Sequence, residues 1–212
     1  MIGIVDYGLG NLASIRNMFR RIEVESCVSA DAAVLADCDR LILPGVGSFD
    51  QGVRNLHESG LWEPLNRWVL EDRKPILGIC LGVQLLTEGS DEGTLPGLGW
   101  IAGRTVSFDR GCLSSNDRIP NMGWRYIDVQ RESSLSAGLP DDPRFYFVHS
   151  FHLQCRNPED VIFSATHGYS FVAGVERDNV AGVQFHPEKS HKFGMALLRN
   201  FSCLQPQCGV GI

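Results

Sequence analysis

The chain has 212 residues, 43% hydrophobic and 21% charged, with 19 basic against 25 acidic side chains and a formal net charge of −6. That length fits one domain, or one with a small addition, and suffices for a continuous core without a metal or disulfide staple. An acidic balance without a basic block argues against nucleic-acid binding, which rests on clustered Lys and Arg. The most apolar stretch, 75–86, contains Gln84 and falls short of the about 20 residues of a membrane-spanning helix.

The opening MIGIVDYGLGN has Asp6 inside its apolar run and no basic leader, so it reads as a first strand and not as a secretory signal. Seven cysteines (27, 38, 80, 112, 155, 203 and 208) include no CxxC pair, which suggests reduced thiols and a cytoplasmic setting. After Gly8 and Gly10, Asn11 caps a helix in which Leu12, Ile15, Met18, Phe19 and Ile22 recur at helical spacing. Strands follow at 24–28 and 40–43, the latter closing on Gly45-Val46-Gly47. A helical stretch with Leu56, Leu61, Leu65 and Trp68 leads to a strand at 75–79. Such alternation implies right-handed βαβ units and a mostly parallel sheet covered on both faces.

Beyond Gly89 the rhythm changes to short alternating segments at 105–108, 126–129, 145–148, 161–165, 171–175 and 181–185, read as strands joined by turns. A helix over 190–204 places Phe193, Leu197, Leu198 and Phe201 on one face, and QPQCGVGI at 205–212 has turn composition. The expected architecture is a single three-layer α/β domain over 1–204, with a mostly parallel central sheet, an additional antiparallel β region and a C-terminal tail.

Three motifs bear on chemistry. Gly8-x-Gly10-x-x-Ala13, with Asp31 about 20 residues on, fits the spacing of a dinucleotide-binding corner, but glycines there equally serve a tight turn. Gly78-Ile-Cys80-Leu-Gly82 is sharper, a thiol version of the nucleophile elbow. Its glycines let strand and helix approach, the helix start favours a thiolate, and the Leu81 amide can donate to an oxyanion. Such a nucleophile needs a base and an orienting group, and His186 and Glu188 in Gln184-Phe-His186-Pro-Glu188 provide both types. The loop at Pro44-Gly45-Val46-Gly47 ends a neighbouring strand, where α/β sheets bind ligands. His149 and His152 lack partners at metal-ligand spacing, and a strand would point them to opposite faces. Neither a metal nor a cofactor is expected.

Taken in order, PGVGSF, GICLGVQLL and GVQFHPEKS resemble the class I (triad) glutamine amidotransferases, and most nearly the glutaminase subunits of imidazole glycerol phosphate synthases. DYGLGN, PNMGW at 120–124 and YFVHSF at 146–151 extend the resemblance over nearly the whole chain. It implies the class I amidotransferase fold and hydrolysis of L-glutamine to glutamate and ammonia by Cys80, His186 and Glu188. It also implies an oxyanion hole from the amides of Leu81 and of Val46 or Gly47. Glutamine would be held by Gln84, Glu92, Ser150 and Phe151. It makes DYGLGN a structural corner. The ammonia would pass to a cyclase partner of (β/α)₈ fold in a heterodimer, met by Asn121, Met122, Trp124, Tyr146 and Lys189. Asn121, Arg125 and His152 depart from the usual histidine-pathway phrases. They resemble paralogues that supply ammonia for amidination of surface-polysaccharide sugars.

Overall fold

A computed structural model describes residues 1–204; the expected tail at 205–212 lies outside the described residues. The first half runs β1 (Ile2–Val5), α1 (Leu12–Arg21), β2 (Ser26–Ser29), α2 (Ala32–Ala36), β3 (Arg40–Leu43), α3 (Phe49–Glu58), α4 (Trp62–Asn66), β4 (Ile76–Ile79) and α5 (Leu81–Leu85). Then come β5 (Gly103–Ser107), β6 (Asn121–Val129), β7 (Arg144–His149), β8 (Phe151–Cys155), β9 (Val161–His167), β10 (Tyr169–Arg177), β11 (Val180–Val183) and α6 (His191–Cys203).

Five strands, in the order β2-β1-β3-β4-β11, form a parallel block. From β11 the sheet continues antiparallel through β10, β9, β6 and β7, while β8 and β5 branch from β10. The parallel strands are apolar on both faces, and alternate residues serve opposite layers. Ile2, Ile4, Ile42, Leu77, Ile79, Ala181 and Val183 pack with α1 and α6 through Ile15, Phe19, Leu197 and Phe201. Val5, Leu41, Leu43 and Ile76 pack on the other side with Val53, Leu56, Leu65 and Leu85 of α3, α4 and α5. This is the three-layer arrangement expected from the sequence. Among the described residues, no helix is long and apolar enough to cross a membrane.

Local signals explain several boundaries. Asn11 caps α1, its side chain accepting the Ser14 N–H at 3.4 Å. Val24, expected in a strand, instead donates its N–H to Phe19 O at 3.0 Å and closes α1, so β2 starts only at Ser26. The short α2 was not anticipated; Asp31 caps it by accepting the Ala33 N–H at 2.8 Å. β6 begins at Asn121, ahead of the expected 126, because it pairs with β7 from Asn121 opposite His149 onward.

The close contacts of α5 with β3 and β4 depend on glycine. A Cβ on Gly82 would lie 1.8 Å from Leu43 O, and one on Gly78 would lie 2.7 Å from Val83 N. We expect Gly82→Ala to lower the unfolding free energy by about 3 kcal/mol and the melting temperature by about 6 °C or more. Gly60→Ala, at φ +70 but in open space, should cost about 1 kcal/mol; thermal denaturation of both variants checks the contrast.

Candidate active site

Because β3, β4 and β11 are parallel neighbours with Leu43 opposite Gly78 and Ile79 opposite Val183, their C-terminal ends coincide. The three sequence motifs follow those ends and so meet in one crevice, where open α/β sheets bind ligands. Cys80 leaves β4 with φ 55 and ψ −111, a backbone conformation that L side chains rarely adopt. Its N–H is tied to Val183 O at 2.9 Å. The corner aims the thiol into the crevice just as α5 begins, where helical N–H groups lack partners within the helix.

His186 follows β11. Its backbone N–H donates to Tyr146 O at 2.9 Å, and its carbonyl accepts the Ser190 hydroxyl at 2.7 Å. The Tyr146 N–H donates in turn to Ser190 Oγ at 3.0 Å, so the loop is clamped to β7. The Nδ1–H donates to Glu188 Oε1 at 2.8 Å, with both side chains 2% exposed. That bond fixes the proton on Nδ1 and leaves Nε2 beside Cys80, buried and without a hydrogen-bond partner. Burial works to lower the His186 pKa, but the adjacent Cys80 sulfur and the charged, hydrogen-bonded Glu188 carboxylate outweigh it and raise the pKa to about 9. A thiol, an imidazole and a carboxylate thus stand in the relation that nucleophilic acyl transfer requires.

A cavity of about 390 Å³ opens on this group, lined by Cys80, His186, Val46, Gly47, Leu81, Gln84, Glu92, Ser150 and Phe151, with Glu188 behind His186. All nine expected pocket residues therefore come together. Gln84 donates from Nε2 to Phe151 O at 3.2 Å and to Gln184 Oε1 at 3.1 Å. Glu92 Oε2 accepts the Phe49 N–H at 2.8 Å, at the start of α3. The Tyr7 hydroxyl donates to Pro44 O at 2.6 Å and roots the 44–47 loop, and Gly47 has φ 112. Gly10 packs on Pro44, and Asp31 is spent on capping α2. The dinucleotide-like corner is therefore filled by the chain itself.

Pro120, Val148 and His149 also line the cavity and were missed. The phrase HSFH carries the signal but does not form one continuous strand. Ser150 instead separates β7 from β8, and His149 and His152 both flank Phe108, at 5.4 and 4.7 Å between ring centroids. Their ring nitrogens are engaged by Phe151 O and Asn121, and by Leu153 O and Tyr169, which leaves no pair of free nitrogens for a metal. Met122 and Trp124 are exposed, with Tyr146 and Lys189 beside them; the Lys189 ammonium lies 5.6 Å from the Tyr146 ring. Asn121 is a correction. It was expected on that surface but is 0% exposed, because its parity on β6 turns it inward. A larger groove of about 760 Å³ beside β8 and β10 contains Cys155, whose thiol burial pushes up to about 12, and no base paired to it.

Nuclear magnetic resonance titration should find the His186 pKa near 9, and Cys80→Ala and Glu188→Gln should each lower it. A folded pKa above the ordinary 6.5 makes the stabilisation complete below pH 6.5 and lost as pH rises through 9. Denaturation free energy should therefore fall by about 3 kcal/mol across that window, with a flatter profile in Glu188→Gln.

The family model described as glutamine amidotransferase class-I matches residues 3–203. Imidazole glycerol phosphate synthase subunit HisH 2 of Methanococcus maripaludis is 47% identical over 201 residues, covering 95% of this chain and 98% of that protein. Subunit HisH of the same enzyme from Bdellovibrio bacteriovorus is 48% identical over 202 residues, covering 95% and 99%. A solved glutamine amidotransferase shares the fold with TM-score 0.73 at 18% identity, covering 94% of this chain and 96% of that one. A chain of PurLQS from Thermotoga maritima does so with TM-score 0.71 at 20% identity, at the same coverage. The chain belongs to the class I glutamine amidotransferases.

Proposed function

We propose that this chain is the glutaminase subunit of an imidazole glycerol phosphate synthase, a single domain over 1–204 that works in the cytoplasm. It releases ammonia to a (β/α)₈ cyclase partner, which makes imidazole glycerol phosphate and AICAR in histidine biosynthesis. The observation that carries this reading is the convergence of Cys80, His186 and Glu188 at two adjacent parallel strand ends, with Cys80 and His186 facing one cavity and Glu188 behind. High identity to synthase subunits over nearly full length supports the pathway.

In this reading the Cys80 thiolate attacks the side-chain carboxamide carbon of glutamine, and the amides of Leu81 and of Val46 or Gly47 receive the oxyanion. His186, protonated on Nε2, gives that proton to the departing nitrogen as the C–N bond breaks, leaving a thioester and free ammonia. His186 then takes a proton from water, whose oxygen attacks the thioester. Glutamate leaves, and the sulfur departs as thiolate. Glu188 keeps the imidazole in one tautomer throughout. Glu92 offers a carboxylate to the substrate ammonium, while Gln84, Ser150 and Phe151 form the opposite wall. Met122, Trp124, Tyr146 and Lys189 form the docking face for the cyclase subunit.

A second reading keeps the chemistry and changes the acceptor, with ammonia going to amidination of a surface-polysaccharide sugar. Asn121, Arg125 and His152 favour it, since these departures lie in or beside the strands that carry the docking face. Glutamate release by the purified chain, with and without the histidine-pathway cyclase subunit and a non-reacting analogue of its nucleotide substrate, separates the two. We expect at least tenfold stimulation by the loaded partner, and a loss of about 10⁴-fold or more in Cys80→Ala with partner binding retained. Stimulation absent while a glutamine-like electrophile still labels Cys80 would favour the second acceptor; glutamate release by Cys80→Ala in the complex would refute the catalytic assignment.

A further inference from the structure

Behind the cavity wall runs a polar chain in which partners fix the tautomer of His149 and the orientation of Asn121. His149 Nδ1 lies 2.7 Å from Phe151 O, and a carbonyl only accepts, so the proton is on Nδ1. His149 Nε2 must then accept, and the Asn121 amide nitrogen stands 3.0 Å away to donate. The orientation of that amide is itself fixed, because Asn121 Oδ1 receives the Arg125 Nε–H at 3.1 Å, and a flipped amide would set two donors against each other. Arg125 Nη2 donates onward to His167 Nδ1 at 3.2 Å, and His167 Nε2–H donates to Arg118 O at 3.0 Å. The carboxylate of Asp117, bonded by Ser114, stands 3.6 Å from the same His167 Nδ1 and ends the chain. Asn121, His149 and His167 are all buried.

The wall needs such support. Segment 148–151 passes from one ladder to another, β7 pairing with β6 through His149 and β8 pairing with β5 from Phe151, and Ser150 belongs to neither. Yet Val148, Ser150 and Phe151 all line the cavity, and Val148 O approaches Cys80 Sγ at 3.9 Å. The Phe151 carbonyl is held from two sides, by Gln84 Nε2 and by His149 Nδ1. Without that donor the buried Nε2 would be left unpaired, and only the Phe151 carbonyl would remain to hold the ring in the Nδ1–H form.

We propose that Asn121, oriented by Arg125 and His167, is a positioning residue for glutamine binding: it locks His149 in the Nδ1–H tautomer, which holds the Phe151 carbonyl and the 148–151 wall in place. This deepens the glutaminase reading and rests on it. It assigns a role to two of the residues, Asn121 and Arg125, that depart from the phrases of histidine-pathway relatives.

Ring ¹⁵N spectra of the full chain test the network without any assay of activity. His149 should carry its proton on Nδ1 and His167 on Nε2, opposite tautomers in one protein. In the presence of the loaded cyclase subunit, Asn121→Ala should raise the KM for glutamine about tenfold, the equivalent of one buried bond lost, and lower kcat less than threefold. Its spectrum should show His149 no longer confined to the Nδ1–H form, and alkylation of Cys80 by iodoacetamide should proceed at the wild-type rate. Arg125→Gln, milder on the core, should move KM the same way by about threefold and serves if Asn121→Ala does not fold. A proton on His149 Nε2 in the wild-type chain, or an unchanged KM in a folded variant, overturns the proposal. A wild-type complex that releases no glutamate, with the tautomers as expected, sinks the glutaminase reading and the positioning role with it while leaving the network intact.

Discussion

The parallel pairing of β4 with β11 is the constraint on which the site depends. Ile79 lies opposite Val183, and the Cys80 N–H continues the ladder to Val183 O. Two segments far apart in sequence thereby acquire a common end, and the residues just past that end are a thiol on one strand and an imidazole on the other. Because β3 flanks β4 in the same direction, its glycine loop arrives at the same level. No side chain has to reach far; the sheet register does the placing, and each motif has only to turn sharply where its strand stops.

Those turns carry costs that the surroundings offset. The positive φ of Cys80 costs on the order of 1–3 kcal/mol, and His186 Nε2 and Glu188 Oε2 are buried without partners. What holds them lies directly beneath. Phe185, immediately before the base, is fully buried and stacks on Phe145 at 3.9 Å between centroids, with Phe147 and Phe163 around it. The same stretch is pinned from above by Tyr146 and Ser190. A base with one unsatisfied nitrogen persists because its neighbours in sequence are anchored in the core and clamped to an adjacent strand.

The meeting of Cys80, His186 and Glu188 was legible in the sequence, since the proposed chemistry uses rare residue types at fixed offsets from strand ends and glycines. The sequence also conveyed the layers, because strands buried on both faces appear as continuous apolar runs. The glycine corner after β1 remained ambiguous for a physical reason: close packing against Pro44 and approach to a phosphate make the same demand on a backbone. His149 and Asn121 were misread because their roles depend on long-range antiparallel pairing. A one-residue switch at Ser150 redirects the chain, and the parity of Asn121 on β6 follows from where β7 pairs with it. Neither is a local property of HSFH or PNMGW.

Strand β6 shows why that parity matters. Met122, Trp124 and Tyr126 point outward and are exposed, whereas Asn121 and Ile127 point inward and are buried, with Arg125 half-buried between them. A slip of one residue would exchange the two sets, burying a tryptophan where the amide now meets His149 and expelling the polar chain into solvent. The register is therefore specified on the inward face, by the hydrogen bonds of Asn121 and Arg125 and by the burial of Ile127. The proposed docking side chains and the proposed positioning residue thus occupy opposite faces of one strand.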